Sequence, residues 1–240
     1  MADRSVAIVT GASRGIGKAV ALGLTKKGYK TILISRSEEK LNEAAKEIVE
    51  QAGGDYPEPE VIAFDLSDIE NIEGLIKRIK NEYGRIDVLI NNAASYQNGT
   101  FESSIDEFRQ LVEMNLISAH ELMKTVVPVM KKQKGGHIIN IASRAGKIGF
   151  ATTGMYSASK FALVGISESV YREYAEYGIK VTAICPSWVD TEMAKEAGAT
   201  LDPEEMIKTE DIAKTVNYLL DISSEASIKD IMIECRTRIS

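Results

Sequence analysis

Near the start of the chain stands the stretch Val6-Ala-Ile-Val-Thr-Gly-Ala-Ser-Arg-Gly-Ile-Gly17. Its apolar first half predicts a buried strand, and its three glycines predict a tight turn into a helix. Glycine lets the backbone approach a pyrophosphate closely, and the N–H groups and positive dipole of a helix N-terminus stabilise phosphate charge. The stretch therefore predicts a strand–turn–helix unit that binds a dinucleotide.

Short apolar runs and amphipathic stretches alternate along all 240 residues. This alternation predicts an α/β fold: a single doubly wound, Rossmann-like domain over residues 1–240, with a seven-stranded parallel sheet of order 3-2-1-4-5-6-7 and helices on both faces. The expected strands are Val6–Thr10, Thr31–Ser35, Val61–Asp65, Val88–Asn91, His137–Ala142, Lys180–Cys185 and Ile228–Glu234. The expected helices are Ile16–Lys27, Glu38–Gln51, Ile69–Tyr83, Ile105–Lys132, Tyr156–Tyr177 and Glu210–Asp221. The irregular stretch at about 186–209 is expected to form a lid.

Composition argues against several classes of protein. Hydrophobic residues make up 44% and charged residues 27%, which is typical of a globular chain, and a net charge of −6 without a long basic run argues against nucleic-acid binding. No apolar run approaches the roughly 18 residues of a membrane span, and a strand pattern follows directly after Arg4, so we expect a cytoplasmic protein. The two cysteines and two histidines lack redox or metal-ligand spacing, so we expect no metal site.

A second pattern concerns Tyr156 and Lys160, which are four residues apart at the end of the stretch Ser143–Lys160. In a helix this spacing puts the phenol and the ammonium on one face, one turn apart. At roughly 4 Å and an effective dielectric constant of about 20, their attraction is about 4 kcal/mol before desolvation, which lowers the pKa of the tyrosine. Chance also produces this spacing, so its meaning depends on the neighbouring motifs.

The end of the second expected strand bears on the choice of cofactor. An acidic residue there would accept a hydrogen bond from the 2′-hydroxyl of NAD, but the chain has Ser35-Arg36-Ser37. Arg36 and Arg14 can instead clamp a 2′-phosphate through charge-assisted hydrogen bonds. The alternative is that both arginines are solvated and one of the next two glutamates reaches the ribose. Because Ser37 is a good N-cap and those glutamates complement the helix dipole, NADP(H) is the expected cofactor.

Taken in order, the motifs resemble those of the short-chain dehydrogenase/reductase family, in its compact-subunit branch. The resemblance covers nearly the whole chain. The matching positions are Thr10, Gly11, Gly15 and Gly17, then Asp65 and Leu66, Asn91-Asn92-Ala93-Ala94, Asn115, Ser143, Tyr156 and Lys160. Ala94 and Ser187 depart from the family by replacing glycines, and Ala94 is harmless only if its φ is negative.

The resemblance implies a role for each position. Tyr156 would protonate a carbonyl oxygen as hydride arrives from the nicotinamide, and Ser143 would hydrogen-bond the same oxygen. Lys160 would lower the pKa of Tyr156 and bind the nicotinamide ribose, and Asn115 would hold a water that relays protons to Lys160. The cofactor would be bound by Gly11, Ser13, Arg14, Gly15, Ile16, Gly17, Ser35, Arg36, Ser37, Asp65, Leu66, Asn92, Ala93, Tyr156, Lys160, Pro186, Val189 and Thr191.

Together the motifs predict an NADPH-dependent oxidoreductase that reduces a ketone or an aldehyde. One alternative is a 3-oxoacyl-[acyl-carrier-protein] reductase, although such proteins usually finish with a glycine-rich segment and this sequence finishes Ile-Met-Ile-Glu-Cys-Arg-Thr-Arg-Ile-Ser. An alternative of another class is a dinucleotide-binding regulator or redox sensor without turnover.

The substrate and the oligomeric state are less closely defined by the sequence. Candidate substrate contacts are Tyr96, Gln97, Arg144, Phe150, Trp188 and Met193. Trp188 either stacks on a bulky ketone or packs the lid against the body. Arg144 either meets a substrate carboxylate, or is solvated, or contacts other residues of the site rather than the substrate. The fifth and fourth expected helices are apolar on more than one face, which, with the family resemblance, predicts a homodimer or homotetramer.

Overall fold

The computed structural model describes residues 4–237, and these contain a seven-stranded parallel sheet. The strands are β1 (Val6–Thr10), β2 (Lys30–Ser35), β3 (Glu60–Ala63), β4 (Val88–Asn91), β5 (Gly136–Ile141), β6 (Ile179–Pro186) and β7 (Asp230–Ile233). Their order, β3-β2-β1-β4-β5-β6-β7, confirms the predicted topology. The predicted domain also includes residues 1–3 and 238–240, which lie outside the described residues.

Helices cover both faces of the sheet. They are α1 (Gly15–Lys26), α2 (Glu38–Ala52), α3 (Ile72–Tyr83), α4 (Ile105–Val112), α5 (Ser118–Gln133), α6 (Gly154–Tyr174), α7 (Glu192–Glu196) and α8 (Thr209–Asp221). Ser37 caps α2 as predicted, because its Oγ accepts a hydrogen bond from the backbone N–H of Lys40 at 3.3 Å. Between residues 4 and 237, no helix combines the length and apolar character that crossing a membrane requires.

The core lies in two layers on either side of the sheet. Ala7 and Val9 of β1 pack with buried residues of α1, α2 and α8, whereas Val6 and Ile8 pack with those of α3 and α5. Successive side chains of a strand point to opposite faces, so a strand covered on both faces is apolar at consecutive positions. This explains why β1 is an unbroken apolar run, and it fixes the carboxyl ends of the strands at one edge of the sheet.

Two expected helices differ from the structure. The expected continuous helix 105–132 is interrupted by a π-helical turn at Glu113–Ile117, between α4 and α5. The expected helix 156–177 begins earlier, at Gly154, and tightens into a 3-10 turn at Ala175–Tyr177. A π turn adds a residue to one helical turn, so hydrophobic periodicity over a long stretch does not reveal it.

The segment 186–209 is more regular than its sequence suggested. It contains α7 and a 3-10 turn at Pro203–Glu205. Its two ends are paired, since the N–H of Ile207 donates to the carbonyl of Trp188 at 3.0 Å. β3 and β7 are also shorter than expected, at four residues each. A helix of only five residues, such as α7, is too short to show a hydrophobic periodicity in the sequence.

Candidate active site

A cleft of about 1860 Å³ follows the carboxyl edge of the sheet, from the glycine-rich turn to Tyr156. It is lined by all of the predicted site residues except Gly17 and Asn115, which are buried next to it. The six candidate substrate contacts also line it. The topology therefore gathers residues from seven separate segments along one groove, at the place where ligands bind in sheets of this kind.

The glycine-rich turn has a backbone that other residues would not tolerate. Gly11 and Gly15 have φ values of +62° and +54°, in the left-handed region. A Cβ atom added to Gly17 would lie 2.3 Å from the carbonyl oxygen of Gly11. The three glycines thus let β1 turn sharply into α1 and keep the backbone exposed to a ligand.

The N-terminus of α1 faces the cleft with its backbone N–H groups. Arg14 is the N-cap and makes no side-chain capping bond, and the first turn contains no acidic residue. The dipole and the N–H groups of this turn thus fit a phosphate group. The guanidinium of Arg14 forms an ion pair with Glu192 of α7, a contact that the sequence did not indicate.

The end of β2 supplies a second polar region. The buried Oγ of Ser35 has no hydrogen-bond partner within the described part of the chain, which is unusual for a buried hydroxyl. Arg36 lines the cleft beside it. The N–H of Ser67 holds the pKa of Asp65 below its usual range, and the charge of Arg36 adds a smaller effect of the same sign. An unpaired hydroxyl and a cation in this position fit an anionic group of a ligand.

Ser143, Tyr156 and Lys160 come together at the other end of the cleft. Ser143 follows β5 and is hydrogen-bonded to the phenol of Tyr156 in α6. The Nζ of Lys160 donates to the carbonyl of Ile141 at 3.1 Å and lies 5.7 Å from the ring centroid of Tyr156. A hydroxyl, a phenol and an ammonium are therefore neighbours in a sheltered position.

Burial dominates the protonation of this group. It raises the pKa of Tyr156 to about 12, although the hydrogen bond with Ser143 acts in the opposite direction. Burial also lowers the pKa of Lys160 to about 8. The expected lowering of the tyrosine pKa is thus not met here, because lost hydration outweighs the hydrogen bond with Ser143, which is the cause that lowers it. At neutral pH the phenol carries its proton.

Asn115 lies in the π-helical turn and links two walls of the cleft. Its Oδ1 accepts from the N–H of Ser95 at 2.8 Å, and its Nδ2 donates to the carbonyl of Ser95 at 2.9 Å. Nδ2 also donates to Ser159 Oγ at 3.2 Å, and Ser159 in turn donates to the carbonyl of Tyr156 at 2.7 Å. Ser159 was missed in the sequence, where only its position three residues after Tyr156 could have indicated it.

Aromatic side chains line the substrate end. The ring of Tyr96 meets that of Tyr156 edge-on, with centroids 5.0 Å apart, and its hydroxyl donates to Asn98 Oδ1 at 2.6 Å. Trp188 packs against the core, and its carbonyl accepts from the thiol of Cys235 at 3.2 Å. Of the two interpretations of Trp188, packing of the segment 186–209 is therefore the one that the contacts support, although the residue also lines the cleft.

Two further sequence questions are answered by the structure. Arg144 is not solvated: its side chain is 11% exposed, lies near Glu234 and stacks on Phe150. Ala94 and Ser187 avoid the left-handed region, since in residues 4–237 the non-glycine residues with positive φ are Lys134 and Thr152. The two replaced family glycines therefore cause no backbone strain.

The fold and the cleft are those of a dinucleotide-binding α/β protein. The sequence profile of the short chain dehydrogenase family matches residues 5–202, and the chain belongs to this family. An uncharacterized oxidoreductase of Staphylococcus epidermidis is 31% identical over 229 residues, covering 95% of this chain and 96% of that protein.

Solved structures agree with this assignment. A beta-ketoacyl-[ACP] reductase from Bacteroides thetaiotaomicron is 42% identical, with a TM-score of 0.86 and 97% of each chain covered. A variant of actinorhodin polyketide ketoreductase, solved with NADPH, is 31% identical, with a TM-score of 0.87 and 97% of each chain covered.

Proposed function

We propose that this protein is an NADPH-dependent reductase that converts a ketone or an aldehyde into an alcohol. The observation that carries the proposal is the hydrogen-bonded pair of Ser143 and protonated Tyr156 in the cleft that begins at the N-terminus of α1. One end of this cleft fits phosphate groups, and the other presents two hydroxyl groups to a carbonyl oxygen.

The chemistry follows from these two hydroxyl groups. When bound in the cleft, NADPH would supply a hydride for the carbonyl carbon. Tyr156, whose pKa of about 12 keeps it protonated at neutral pH, donates its proton to the carbonyl oxygen. The hydroxyl of Ser143 donates a hydrogen bond to the same oxygen and polarises the carbonyl group. The product is an alcohol, and the negative charge is left on the oxygen of Tyr156.

Lys160 and Asn115 support this step. With a pKa of about 8, Lys160 is mostly cationic at neutral pH and stabilises the phenolate as it forms. Lys160 would also bind the nicotinamide ribose. Asn115, beyond fixing Ser95, would hold the water that returns a proton through Lys160 to Tyr156.

We propose NADP(H) rather than NAD as the cofactor. Arg36 beside the unpaired hydroxyl of Ser35 supports this choice, since a guanidinium binds a phosphate with paired hydrogen bonds. A metagenomic short-chain oxidoreductase that is 33% identical, with a TM-score of 0.82, was solved in complex with NADP. The backbone of Gly11 to Gly17 and the polar atoms of Ser13 and Asp65 would hold the remainder of the dinucleotide, together with Pro186, Val189 and Thr191 at its nicotinamide end.

The decisive experiment measures NADPH oxidation with a panel of ketones and aldehydes in wild type and Tyr156→Phe. We expect the variant to retain NADPH binding and to lose roughly 10²- to 10⁴-fold in kcat, because the proton donor is gone. Tyr177→Phe, a change of the same kind at a partly exposed tyrosine, is the control. Undiminished turnover in Tyr156→Phe would refute the mechanism, and a wild type inactive on the whole panel would favour the non-catalytic regulator.

A second candidate is reduction of a 3-oxoacyl group carried on acyl-carrier protein. It is favoured by the 42% identity with the Bacteroides thetaiotaomicron reductase. The two candidates are distinguished by comparing kcat/KM for acetoacetyl-acyl-carrier protein with kcat/KM for free ketones of similar size. A preference for the carrier-bound substrate of about 100-fold or more, or about 2.7 kcal/mol, would select the second candidate.

We also propose that the protein is a homodimer or homotetramer and that the segment 186–209 acts as a lid. Ile117 and Phe161 are 42% and 45% exposed, which is a large apolar area for helix surfaces in contact with water. Light scattering of wild type and Phe161→Glu tests the assembly, since a buried charge would weaken it.

The cytoplasmic location expected from the sequence stays a prediction.

A further inference from the structure

Arg144 connects the cleft to the end of β7. Its Cζ lies 4.7 Å from the ring centroid of Phe150, and its Nη1 lies 3.6 Å from Oε1 of Glu234, the residue that directly follows β7. The two side chains of the ion pair are 11% and 24% exposed, so the contact is sheltered from water. A guanidinium held between an aromatic ring and a carboxylate has little freedom to move.

Arg144 also begins the turn that carries Ser143. The Oγ of Ser143 accepts from the N–H of Ala145 at 3.1 Å, and its carbonyl accepts from the N–H of Gly146 at 2.8 Å. Ser143 and the 3-10 turn Arg144–Gly146 therefore form one unit. A displacement of this turn displaces the hydroxyl of Ser143 with it.

The opposite side of the turn is fixed by α6. A Cβ atom on Gly146 would lie 2.7 Å from the carbonyl oxygen of Lys160, so the turn lies directly on the backbone of the helix that carries Tyr156. The turn therefore contacts α6 on one side and Glu234 on the other. The side chain of Arg144 supplies the second of these contacts.

We propose that Arg144 is a positioning residue, and that Glu234 and Phe150 hold it so that the turn presents Ser143 to Tyr156. This inference rests on the proposed reductase activity for its effect on rate. It differs from a role in binding a substrate carboxylate, because the charge of Arg144 is already opposed by Glu234. A misplacement of about 1 Å in a catalytic group costs on the order of 10²-fold in rate, so the effect is measurable.

A second ion pair between the turn and β7 provides a control for a purely structural effect. Lys147, directly after the same turn, forms an ion pair with Asp230 of β7 at 3.1 Å. This pair joins the same two elements, but neither residue lines the cleft. Asp230→Asn therefore removes an ion pair between the turn and β7 without touching Arg144.

The test is a double-mutant cycle between Arg144→Gln and Ser143→Ala, with thermal unfolding measured for every variant. We expect Arg144→Gln to lower kcat by roughly 10- to 100-fold in the wild type, with little change in KM. In the Ser143→Ala background the same change should lower kcat less than about threefold, because the group it positions is absent. Glu234→Gln should lower kcat in the same way, Asp230→Asn should leave it unchanged, and Arg144→Lys should restore part of the rate.

Three kinetic results would overturn the inference: equal losses in both backgrounds, a rise in KM alone, or full activity of Glu234→Gln. A crystal structure of Arg144→Gln decides the question independently of turnover. Displacement of Ser143 from Tyr156 supports the positioning role, and an unchanged hydrogen bond between them refutes it. If the wild type has no reductase activity, the proposed function is wrong. The crystal structure of Arg144→Gln still tests whether Arg144 positions Ser143.

Discussion

Lys160 lies beside Tyr156 in the candidate active site, with its Nζ 5.7 Å from the centroid of the tyrosine ring. Burial shifts the two pKa values in opposite directions: that of Lys160 falls to about 8, and that of Tyr156 rises to about 12. The group that titrates near physiological pH is consequently the ammonium. The phenol keeps its proton until strongly alkaline pH.

The first prediction concerns the pH dependence of reduction. We expect kcat/KM to fall as pH rises through about 8, since Lys160 loses the charge that stabilises the phenolate. Tyr156 is still protonated in this range and cannot cause the decline. The measurement is a pH profile of kcat/KM for wild type and Lys160→Met. The variant should be slower and should lack the alkaline decline; a decline that persists would show that another group titrates.

The second prediction concerns cofactor preference. Arg36→Ala should weaken NADPH binding by roughly 10- to 100-fold and leave NADH binding nearly unchanged, because a charged hydrogen bond to phosphate contributes about 1.5–3 kcal/mol. Fluorescence titration with both cofactors measures the change. Lys46→Ala removes the same charge from the exposed face of α2, outside the cleft, and should alter neither affinity. If Arg36→Ala prefers NADPH over NADH as strongly as the wild type does, Arg36 does not bind the 2′-phosphate.

The third prediction compares two helical glycines. Gly17→Ala should lower the free energy of unfolding by about 1–3 kcal/mol and impair dinucleotide binding, because its Cβ would meet the carbonyl of Gly11 at 2.3 Å. Gly74→Ala in α3 has open space around it and should raise stability by about 0.5–1 kcal/mol. Urea unfolding of both variants measures whether the free energy of unfolding falls in Gly17→Ala and rises in Gly74→Ala. A harmless Gly17→Ala would mean that the turn can rearrange.

The fourth prediction concerns stability in acid. His137 is 6% exposed, its ring shares a hydrogen bond of 2.9 Å with Thr182, and burial, aided by Lys180, lowers its pKa to about 4. Below its unfolded pKa of about 6.5 the unfolded chain binds a proton that the folded chain does not, so stability is lost as pH falls towards 4.

Between about pH 7.5 and pH 5, His137 alone should lower the free energy of unfolding by about 2 kcal/mol. This decrease between the two pH values should be smaller in His137→Gln and should remain in His120→Gln, since His120 is exposed. Urea unfolding at the two pH values measures it. Identical pH dependence in wild type and His137→Gln would show that His137 is not the source.

The sequence by itself determined the sheet order, the turn at Gly11 to Gly17 and the register of Tyr156 with Lys160. These features depend on patterns within a few residues: apolar runs for buried strands, glycines where φ is positive, and a spacing of four on a helix. The right-handed crossover rule then leaves few possible topologies. Local chemistry was sufficient because neighbours in the chain are also neighbours in these elements.

Only the tertiary structure decided the π-helical turn at Asn115, the ion pair of Arg144 with Glu234 and the direction of the tyrosine pKa shift. Asn115 bonds a loop twenty residues before it, and Arg144 meets a carboxylate ninety residues after it. The pKa of Tyr156 depends on how much water the whole fold removes from its phenol. Burial and long-range pairing are sums over residues distant in the chain, so no local pattern contains them.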